Sequence, residues 1–355
     1  MTLEELRAAI DGVDDRILAL LRERAGLVLQ VGTLKSKTGE PYYAPEREES
    51  LLRRLVGNNT SALPPASVRA IYREILSAMR ALEHPLEVAF LGPVSTFSHQ
   101  AAVRHFGSSA QFSPERTIGE VFDAVERGRV PFGVVPVENS LEGSVSATLD
   151  RLMETEARIC AQIFLPIELN LLGRTPLAEV RKVYSHPQPF GQCRRWLAGH
   201  LPGAECVEVS STARAAELAA GEKGAAAIAG SLTAKQFDLP VLAAAIQDAT
   251  SNVTRFFVLG RRAAAPSGQD QTSIMFAVKD QPGALARALE PFEKSGISLT
   301  RIESRPSKRR PWEYYFFADL AGHAEDPEVA KALGALAGVC AFTKVLGSYP
   351  AAAST

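Results

Sequence analysis

The sequence predicts a multidomain chain: an all-helical segment, then an α/β domain, then a small α+β domain. Three observations carry this. Apolar residues recur every three and four positions from Leu3 to Leu34, with no proline before Pro41. From Leu86 to Gly260, short apolar runs alternate with helical stretches, and most runs end in hydroxyl, amide or acidic residues. Beyond residue 270 the pattern becomes strand, helix, strand, strand, helix, strand. A chain of 355 residues has ample core for two or three domains.

Composition narrows the function classes. The formal charge is −1, so no global basic field points to nucleic acid or an anionic membrane. Cys160, Cys193, Cys206 and Cys340 are scattered without a Cys-x-x-Cys pair, against a structural zinc or a disulfide framework. His99 and His105 stand six apart, a poor metal spacing, and His186 before a proline reads as structural; no metal site is expected. Met-Thr-Leu-Glu-Glu-Leu is not a signal peptide, and no apolar run is long enough to span a bilayer. The expectation is a soluble cytoplasmic protein.

In the first segment Leu3, Leu6, Ile10, Val13, Ile17, Leu20, Leu27, Val31 and Leu34 form a heptad seam. Gly12, Gly26 and Gly32 each cost roughly 1 kcal/mol against alanine, so packing must hold this helix. Arg24 breaks the seam, and a buried arginine needs an anionic partner. Lys35 is eleven residues on, on the same face and roughly 16 Å away, so both side chains can converge on a small anion. Arg7, roughly 25 Å from Arg24 and on another face, can join them only from a second copy of the chain. A second helix opens at Pro45-Glu46-Arg47-Glu48-Glu49, with proline in its first turn, and ends at Asn58 and Asn59. A third runs from about Ser67 to Glu83 and leaves Glu83 at the edge of its apolar face.

These residues resemble the all-helical, intertwined chorismate mutase domain. The resemblance implies that Arg24, and Arg7 from the partner copy, bind carboxylates of chorismate. It places Lys35 and Glu83 at the ether oxygen and Arg47 and Glu48 over the ring, Glu48 near its hydroxyl. Ala44 departs from members that carry aspartate there, and Glu83 from those with glutamine. The residue types suit a pericyclic rearrangement, which needs no cofactor or nucleophile. It needs the dicarboxylate held compact and charge on the breaking ether oxygen stabilised. Glu83 helps only when protonated, as a hydrogen-bond donor.

In the middle segment Leu86 to Leu91 leads to Gly92-Pro93 and Ser95-Thr96-Phe97-Ser98. Val130 to Val137 leads to Glu138-Asn139-Ser140, and Val183-Tyr184 to Ser185-His186-Pro187-Gln188. Val207 to Val209 leads to Ser210-Ser211-Thr212, and Ala225 to Ala229 to Gly230-Ser231. Asn252-Val253-Thr254-Arg255 opens a last strand. Alternating strands and helices predict a mainly parallel sheet, with a crevice at the polar strand ends. No dinucleotide fingerprint, P-loop or nucleophile elbow is present.

Gly92-Pro93 with Thr96-Phe97-Ser98, Pro136 to Val145, Ser185 to Cys193, Ser211 to Arg214 and Thr254-Arg255-Phe256 together resemble prephenate dehydratase. The resemblance implies two α/β lobes like a small periplasmic binding protein, with the site in the cleft between them. Thr254 matches that family's essential threonine; Glu138, Asn139, Ser185, Gln192, Arg255 and Phe256 match other site positions. Ser95 stands where the family usually has glycine.

Arg261 to Asp270 reads as a linker. The predicted strands of the last segment are Ser273 to Val278, Ile297 to Ile302, Trp312 to Leu320 and Val339 to Leu346; the helices are Gly283 to Lys294 and Asp326 to Leu336. Pro282-Gly283-Ala284-Leu285 opens the first helix, and Glu303-Ser304-Arg305-Pro306 follows the second strand. The pair resembles the phenylalanine-binding motifs of the ACT domain, a ferredoxin-like fold. This implies phenylalanine contacts at Gly283, Ala284, Leu285, Glu303, Ser304, Arg305 and Pro306.

The expectation is therefore a bifunctional chorismate mutase and prephenate dehydratase under feedback by phenylalanine. It has domains at 1–85, 86–262 and 271–350, needs no cofactor, and forms a homodimer or higher homo-oligomer. Two rivals are a non-catalytic amino-acid-sensing or solute-binding protein and an arogenate dehydratase. The in-line Arg24 and Lys35 speak against the binder.

Overall fold

The computed structural model describes residues 1–307 and 314–351. The chain forms two compact units, one of residues 1–44, 50–86 and 106–111, the other of 45–49, 87–105 and 112–355. None of the described helices is long and apolar enough to cross a membrane.

Helix α1 (Leu3–Thr38) starts at a capping box, Thr2 with Glu5, and stops at Gly39, whose φ of 71° suits glycine. Helices α2 (Pro45–Gly57) and α3 (Pro65–Glu83) follow, each with proline in the first turn. α3 begins two residues earlier than predicted, because Pro64 and Pro65 pre-set the φ of a helix start. The three glycines of α1 differ. A Cβ on Gly32 would lie 3.3 Å from Glu83 Cγ, so this glycine lets α1 and α3 meet, whereas Gly12 and Gly26 have nothing within 4 Å. The seam of α1 lies largely bare: Ile10 is 58%, Leu27 57% and Leu34 61% exposed.

The second unit begins with β1 (Glu87–Leu91), α4 (Phe97–Phe106), β2 (Gln111–Glu115), α5 (Ile118–Glu126), β3 (Phe132–Asn139), β4 (Gly143–Ser144), α6 (Ser146–Glu154) and β5 (Arg158–Pro166). A second lobe follows with β6 (Asn170–Leu172), β7 (Lys182–Ser185), α7 (Pro187–Gln192), α8 (Arg194–His200), β8 (Glu205–Glu208), α9 (Thr212–Gly221), β9 (Ala225–Ala229), α10 (Ser231–Gln236) and β10 (Val241–Ala243). Strand β11 (Val253–Gly260) then returns to the first lobe. The sheets run β2-β1-β3-β11-β5, with β4 on β3, and β10-β6-β9-β7-β8.

The two lobes match the expectation; the mainly parallel sheet does not. β1/β3, β7/β8 and β7/β9 are parallel, but β11 runs antiparallel to both β3 and β5, and β6 to both β9 and β10. No helix separates β5 from β6 or β10 from β11. Each of those connections passes from one sheet to the other, so no crossover helix sets the direction in which β6 or β11 enters its sheet.

Ser95 adopts φ 66°, a left-handed conformation that favours glycine. The strain of about 1–2 kcal/mol is offset by three hydrogen bonds. The Ser95 N–H donates to His99 Nδ1 at 3.0 Å, its carbonyl accepts from Thr233 Oγ1 at 2.9 Å, and its hydroxyl donates to Gln236.

The last part comprises β12 (Asp270–Ala277), α11 (Ala284–Lys294), β13 (Leu299–Pro306), β14 (Tyr314–Ala321), α12 (Pro327–Val339) and β15 (Phe342–Pro350), with sheet order β13-β14-β12-β15. Trp312, the expected start of the third strand, lies outside the described residues. One sheet face packs Ile274, Phe276, Ala318 and Leu320 against Ala288 and Phe292 of α11 and Ala332 and Leu336 of α12. The other face does not meet solvent. Met275, Phe317, Leu346 and Tyr349 share a core with Val135, Leu149, Ile159, Phe257 and Leu259. The approach is closest at Gly347, where a Cβ would lie 2.0 Å from the Ile159 carbonyl oxygen.

Residues 261–270 are pinned, not a loose tether. Asp270 accepts from the backbone N–H of Ser267 and Gly268, and the Ala264 carbonyl lies 3.1 Å from His323 Nε2. Truncation near Gly260 would strip a buried face.

One polar cluster crosses this face. Arg255, 6% exposed, donates to Asp319 at 2.5 Å, Tyr349 at 3.1 Å and Gln162 at 3.0 Å. Ser273 donates to Asp319 at 2.5 Å and lies 2.6 Å from the Tyr349 hydroxyl. Burial works to lower the Arg255 pKa, but Tyr349 and Asp319 raise it on balance, so the guanidinium stays charged. Burial pushes the Tyr349 phenol up and keeps it protonated. Arg255→Ala leaves Asp319 a buried, uncompensated charge and should cost about 3–5 kcal/mol. Arg255→Met with Asp319→Leu should cost much less. Chemical denaturation of both variants checks this; equal losses would mean the ion pair is not what is at stake.

Candidate active sites

The first candidate site lies where α1 crosses α3. The Gly32 contact brings Lys35 Nζ within 3.0 Å of Glu83 Oε2, with the two side chains 20% and 8% exposed. Lys35 also reaches the Tyr42 carbonyl at 3.4 Å. Arg24 is half-buried, and its Nη1 is buried with no hydrogen-bond partner among the described residues. Such a donor is costly to leave unpaired unless an anion satisfies it. Arg7 is exposed near the start of α1, far from the other three along the helix. Arg47 is exposed and Glu48 half-buried, both in the first turn of α2 and in the other compact unit. Lys35 and Glu83 are thus brought together, with Arg24 on the same helix.

The second candidate site is the end of β3 beside the start of β11, whose register sets Thr254 opposite Asn139. Asn139 Nδ2 donates to Thr254 Oγ1 at 2.8 Å and to Asn252 Oδ1 at 2.7 Å. Asn139 Oδ1 accepts from the N–H of Leu141 at 3.0 Å and of Glu142 at 3.2 Å, which shapes the β3–β4 loop. Asn252 Nδ2 donates to Gln192 Oε1 at 3.1 Å, and Gln192 Nε2 to Glu142 Oε1 at 2.9 Å. Gln188 donates to the same carboxylate. This chain of amides joins the first lobe to α7 of the second. Thr254 enters it as an acceptor, and among the described residues no acceptor takes its hydroxyl proton. A hydroxyl held this way keeps its own proton free to donate.

Other predicted residues serve the fold. Ser185 is fully buried and donates to the Ile228 carbonyl at 3.1 Å. Phe256 is 1% exposed, in the core. Arg255, next to Thr254, points into the last sheet. The resemblance implied a site role; strand alternation sends its side chain to the face opposite Thr254. Glu138 stays at the strand end, with Oε2 2.9 Å from Arg301 Nε.

Burial and local hydrogen bonds account for two thiols and two imidazoles. Burial pushes the Cys160 and Cys193 thiols up to about 12 and so keeps them protonated. His99, its pKa lowered by burial, stacks on Phe90 with its Nδ1 occupied. His186 caps α7 by accepting from Gln188 N–H. No cluster of three or more potential metal ligands occurs among the described residues.

In the last part, Gly283 has φ 75° just before α11, with Ala284 and Leu285 half-buried in its first turn. Glu303, Ser304, Arg305 and Pro306 were expected to follow a strand but lie within β13. Exposure alternates along it, so Ser304 and Pro306 face out while Glu303 and Arg305 turn inward. Glu303 accepts from Ser144 and from Arg301 at 3.0 Å; Arg305 donates to Ser146 and Asp150, both at 2.8 Å.

Three functional side chains escaped the sequence reading. Asn252 stands two residues before Thr254, and Glu142 three after Asn139. Arg301 shares a period of two with Glu303 and Arg305, a visible signal that places all three on one strand face.

Family models match three stretches: Chorismate mutase type II over residues 6–84, Prephenate dehydratase over 88–264 and ACT domain over 272–338. A bifunctional chorismate mutase/prephenate dehydratase of Aquifex aeolicus is 48% identical over 355 residues, covering 99% of this chain and 98% of the relative. A solved prephenate dehydratase in complex with L-Phe, from Arthrobacter aurescens, is 36% identical with TM-score 0.69, covering 75% of this chain and 90% of its own. A solved structure described as GqqA, a novel type of quorum quenching acylase, is 32% identical with TM-score 0.69, covering 75% and 98%. Of these three, the first alone spans the chain from end to end.

Proposed function

The chain belongs to the bifunctional chorismate mutase/prephenate dehydratase family, and from that premise we propose which residues carry each reaction. The protein rearranges chorismate to prephenate, converts prephenate to phenylpyruvate, and is subject to feedback inhibition by phenylalanine. Our assignment gives residues 1–85 to the first reaction, 86–262 to the second and 271–350 to regulation. A cytoplasmic location is part of the same reading.

For the mutase, Arg24 and an Arg7 from a second copy hold the two carboxylates, and Lys35 donates to the breaking ether oxygen. The resemblance assigns Arg47 and Glu48 to the ring side of the substrate. The unpaired Nη1 of Arg24 supports this, being a buried donor that needs an anion. The bare seam of α1 supports a homodimer or higher oligomer, since a stripe this apolar needs covering. The ion pair with Lys35 keeps Glu83 beside the ether position; in its protonated form Glu83 adds a second donor. No proton or electron pair passes to the protein, so the rate gain comes from positioning and charge.

For the dehydratase, the carrying observation is the Thr254 hydroxyl, held by Asn139 with its own proton uncommitted. Prephenate loses carbon dioxide and water together. The electron pair of the C–carboxylate bond enters the ring while the ring C–O pair leaves with the hydroxyl, which takes up a proton to become water. Thr254 donates to the departing oxygen as charge builds on it, with Asn139 and Glu138 holding the strand end. Gln192 bounds the substrate from the second lobe, and Asn252 from the start of β11. Ser185, Arg255 and Phe256 support the site from within the fold.

Thr254→Val keeps the shape and removes the donor. It should lower dehydratase kcat by about a hundredfold or more, about 2.7 kcal/mol of transition-state stabilisation, and leave the mutase rate unchanged. A loss under tenfold would make Thr254 a structural residue. Arg24→Ala and Lys35→Ala should do the reverse, abolishing mutase and sparing dehydratase. A mixed dimer of Arg7→Ala and Arg24→Ala chains should regain mutase activity, because one of its sites then holds both arginines; no recovery would refute sharing between copies.

For phenylalanine, the L-Phe complex of the Arthrobacter aurescens dehydratase supports binding of the amino acid, and the site we assign to it is Gly283 to Leu285 with the β13 motif Glu303 to Pro306. Gly283→Val forces a side chain onto φ 75° and against Arg287 Nη1, 3.0 Å from where its Cβ would be. Calorimetry should show weakened phenylalanine binding with the uninhibited rate kept. Unchanged affinity would move the effector site elsewhere.

A further inference from the structure

We propose that Arg301 is a positioning residue for the dehydratase reaction. From strand β13 it fixes the β3–β4 hairpin that presents Glu138 and Asn139. This rests on the reading of Thr254, Asn139 and Glu138 as the dehydratase site.

The hairpin has two arms, with Glu138 on β3 and Ser144 on β4 as register partners. One guanidinium touches both. Arg301 Nε lies 2.9 Å from Glu138 Oε2, and Arg301 Nη2 donates to Ser144 Oγ at 2.7 Å and to Glu303 Oε2 at 3.0 Å. The Nε–H is not aimed at the Glu138 oxygen, so that contact is an ion pair, while the Ser144 bond is directional. The Arg301 side chain is only 10% exposed. An exposed ion pair would be worth little; a withdrawn fork serving three partners is different, and a lysine cannot reproduce it. Without Arg301, the carboxylates of Glu138 and Glu303 would flank Ser144 with no cation between them. The hairpin would then be pushed apart where it must hold still.

The loop between the arms carries the site. Asn139 holds Thr254, and Glu142 holds Gln192 and Gln188. Glu303 and Arg305 continue the row on β13, gripping Ser144 of β4 and Ser146 and Asp150 of α6. β13 thus has two faces. Arg301, Glu303 and Arg305 hold the dehydratase hairpin, while Ile302, Ser304 and Pro306 are exposed on the other. A ligand that moves this strand moves the hairpin through Arg301. Its differential affinity for the two hairpin positions sets how far activity falls.

The test uses the full chain carrying Arg301→Met, assayed with prephenate beside wild type. Dehydratase kcat should fall about tenfold or more while KM for prephenate stays within about threefold, the split expected when transition-state geometry is lost and binding kept. Arg301→Lys should recover part of the rate. By calorimetry phenylalanine should still bind Arg301→Met, yet inhibit a smaller fraction of its activity. A kcat within twofold of wild type, or a lost KM with kcat kept, would overturn the proposal. If wild type itself lacks dehydratase activity, the reading of the site falls and this proposal with it. Should Arg301→Met melt well below wild type, Ser144→Ala carries the same test by deleting one hydroxyl anchor: kcat falls severalfold at constant KM, or the inference fails.

Discussion

The placement of β11 between β3 and β5 is the constraint on which the second unit depends. The strand returns from the second lobe and closes the first sheet. Its alternation then divides two tasks between adjacent residues. Thr254 meets Asn139 at the strand end, while Arg255 turns into the last sheet and binds Asp319, Tyr349 and Gln162. A strand anchored from behind by a buried ion pair has little freedom to slide, and a one-residue slip would swap the two faces. The candidate proton donor is therefore held by the same backbone that carries the regulatory sheet.

That arrangement changes what regulation means physically. The last sheet buries one face on its own helices and the other on the dehydratase core, with Gly347 admitting the closest backbone approach. Packed interfaces of this kind do not deform continuously; they hold one arrangement or shift to another. An effector acting on β13 needs no long relay, since side chains of that strand already touch the hairpin of the site. The helical unit presents the opposite situation. Its long seam is bare, with Ile10, Leu27 and Leu34 all more than half exposed.

Much was legible in the residues. Periodicity located the first and third helices, proline and acidic residues the start of the second, and Arg24 stood out because a charge in an apolar seam demands an explanation. Polar residues at strand termini drew attention to Asn139 and Thr254, whereas Gln192 came from the resemblance alone. The β-α-β-β-α-β order of the last domain followed from alternation and turn residues, and the left-handed φ of Ser95 is one that favours glycine.

What sequence alone determined was local: which segments are helix or strand, which residues interrupt an apolar pattern, and which chemical groups stand at strand ends. These depend on neighbours within a few positions. Tertiary structure decided which face each strand presents and what covers it. Ser185, Arg255 and Phe256 sit in the right motifs, yet pairing and packing turn them inward. Glu303 and Arg305 lie within a strand instead of after it, and so grip the hairpin. The antiparallel course of β11, the buried second face of the last sheet and the reach of Arg301 to Glu138 join residues more than a hundred positions apart. No local pattern records such distances, because the chain meets itself there only after it has folded.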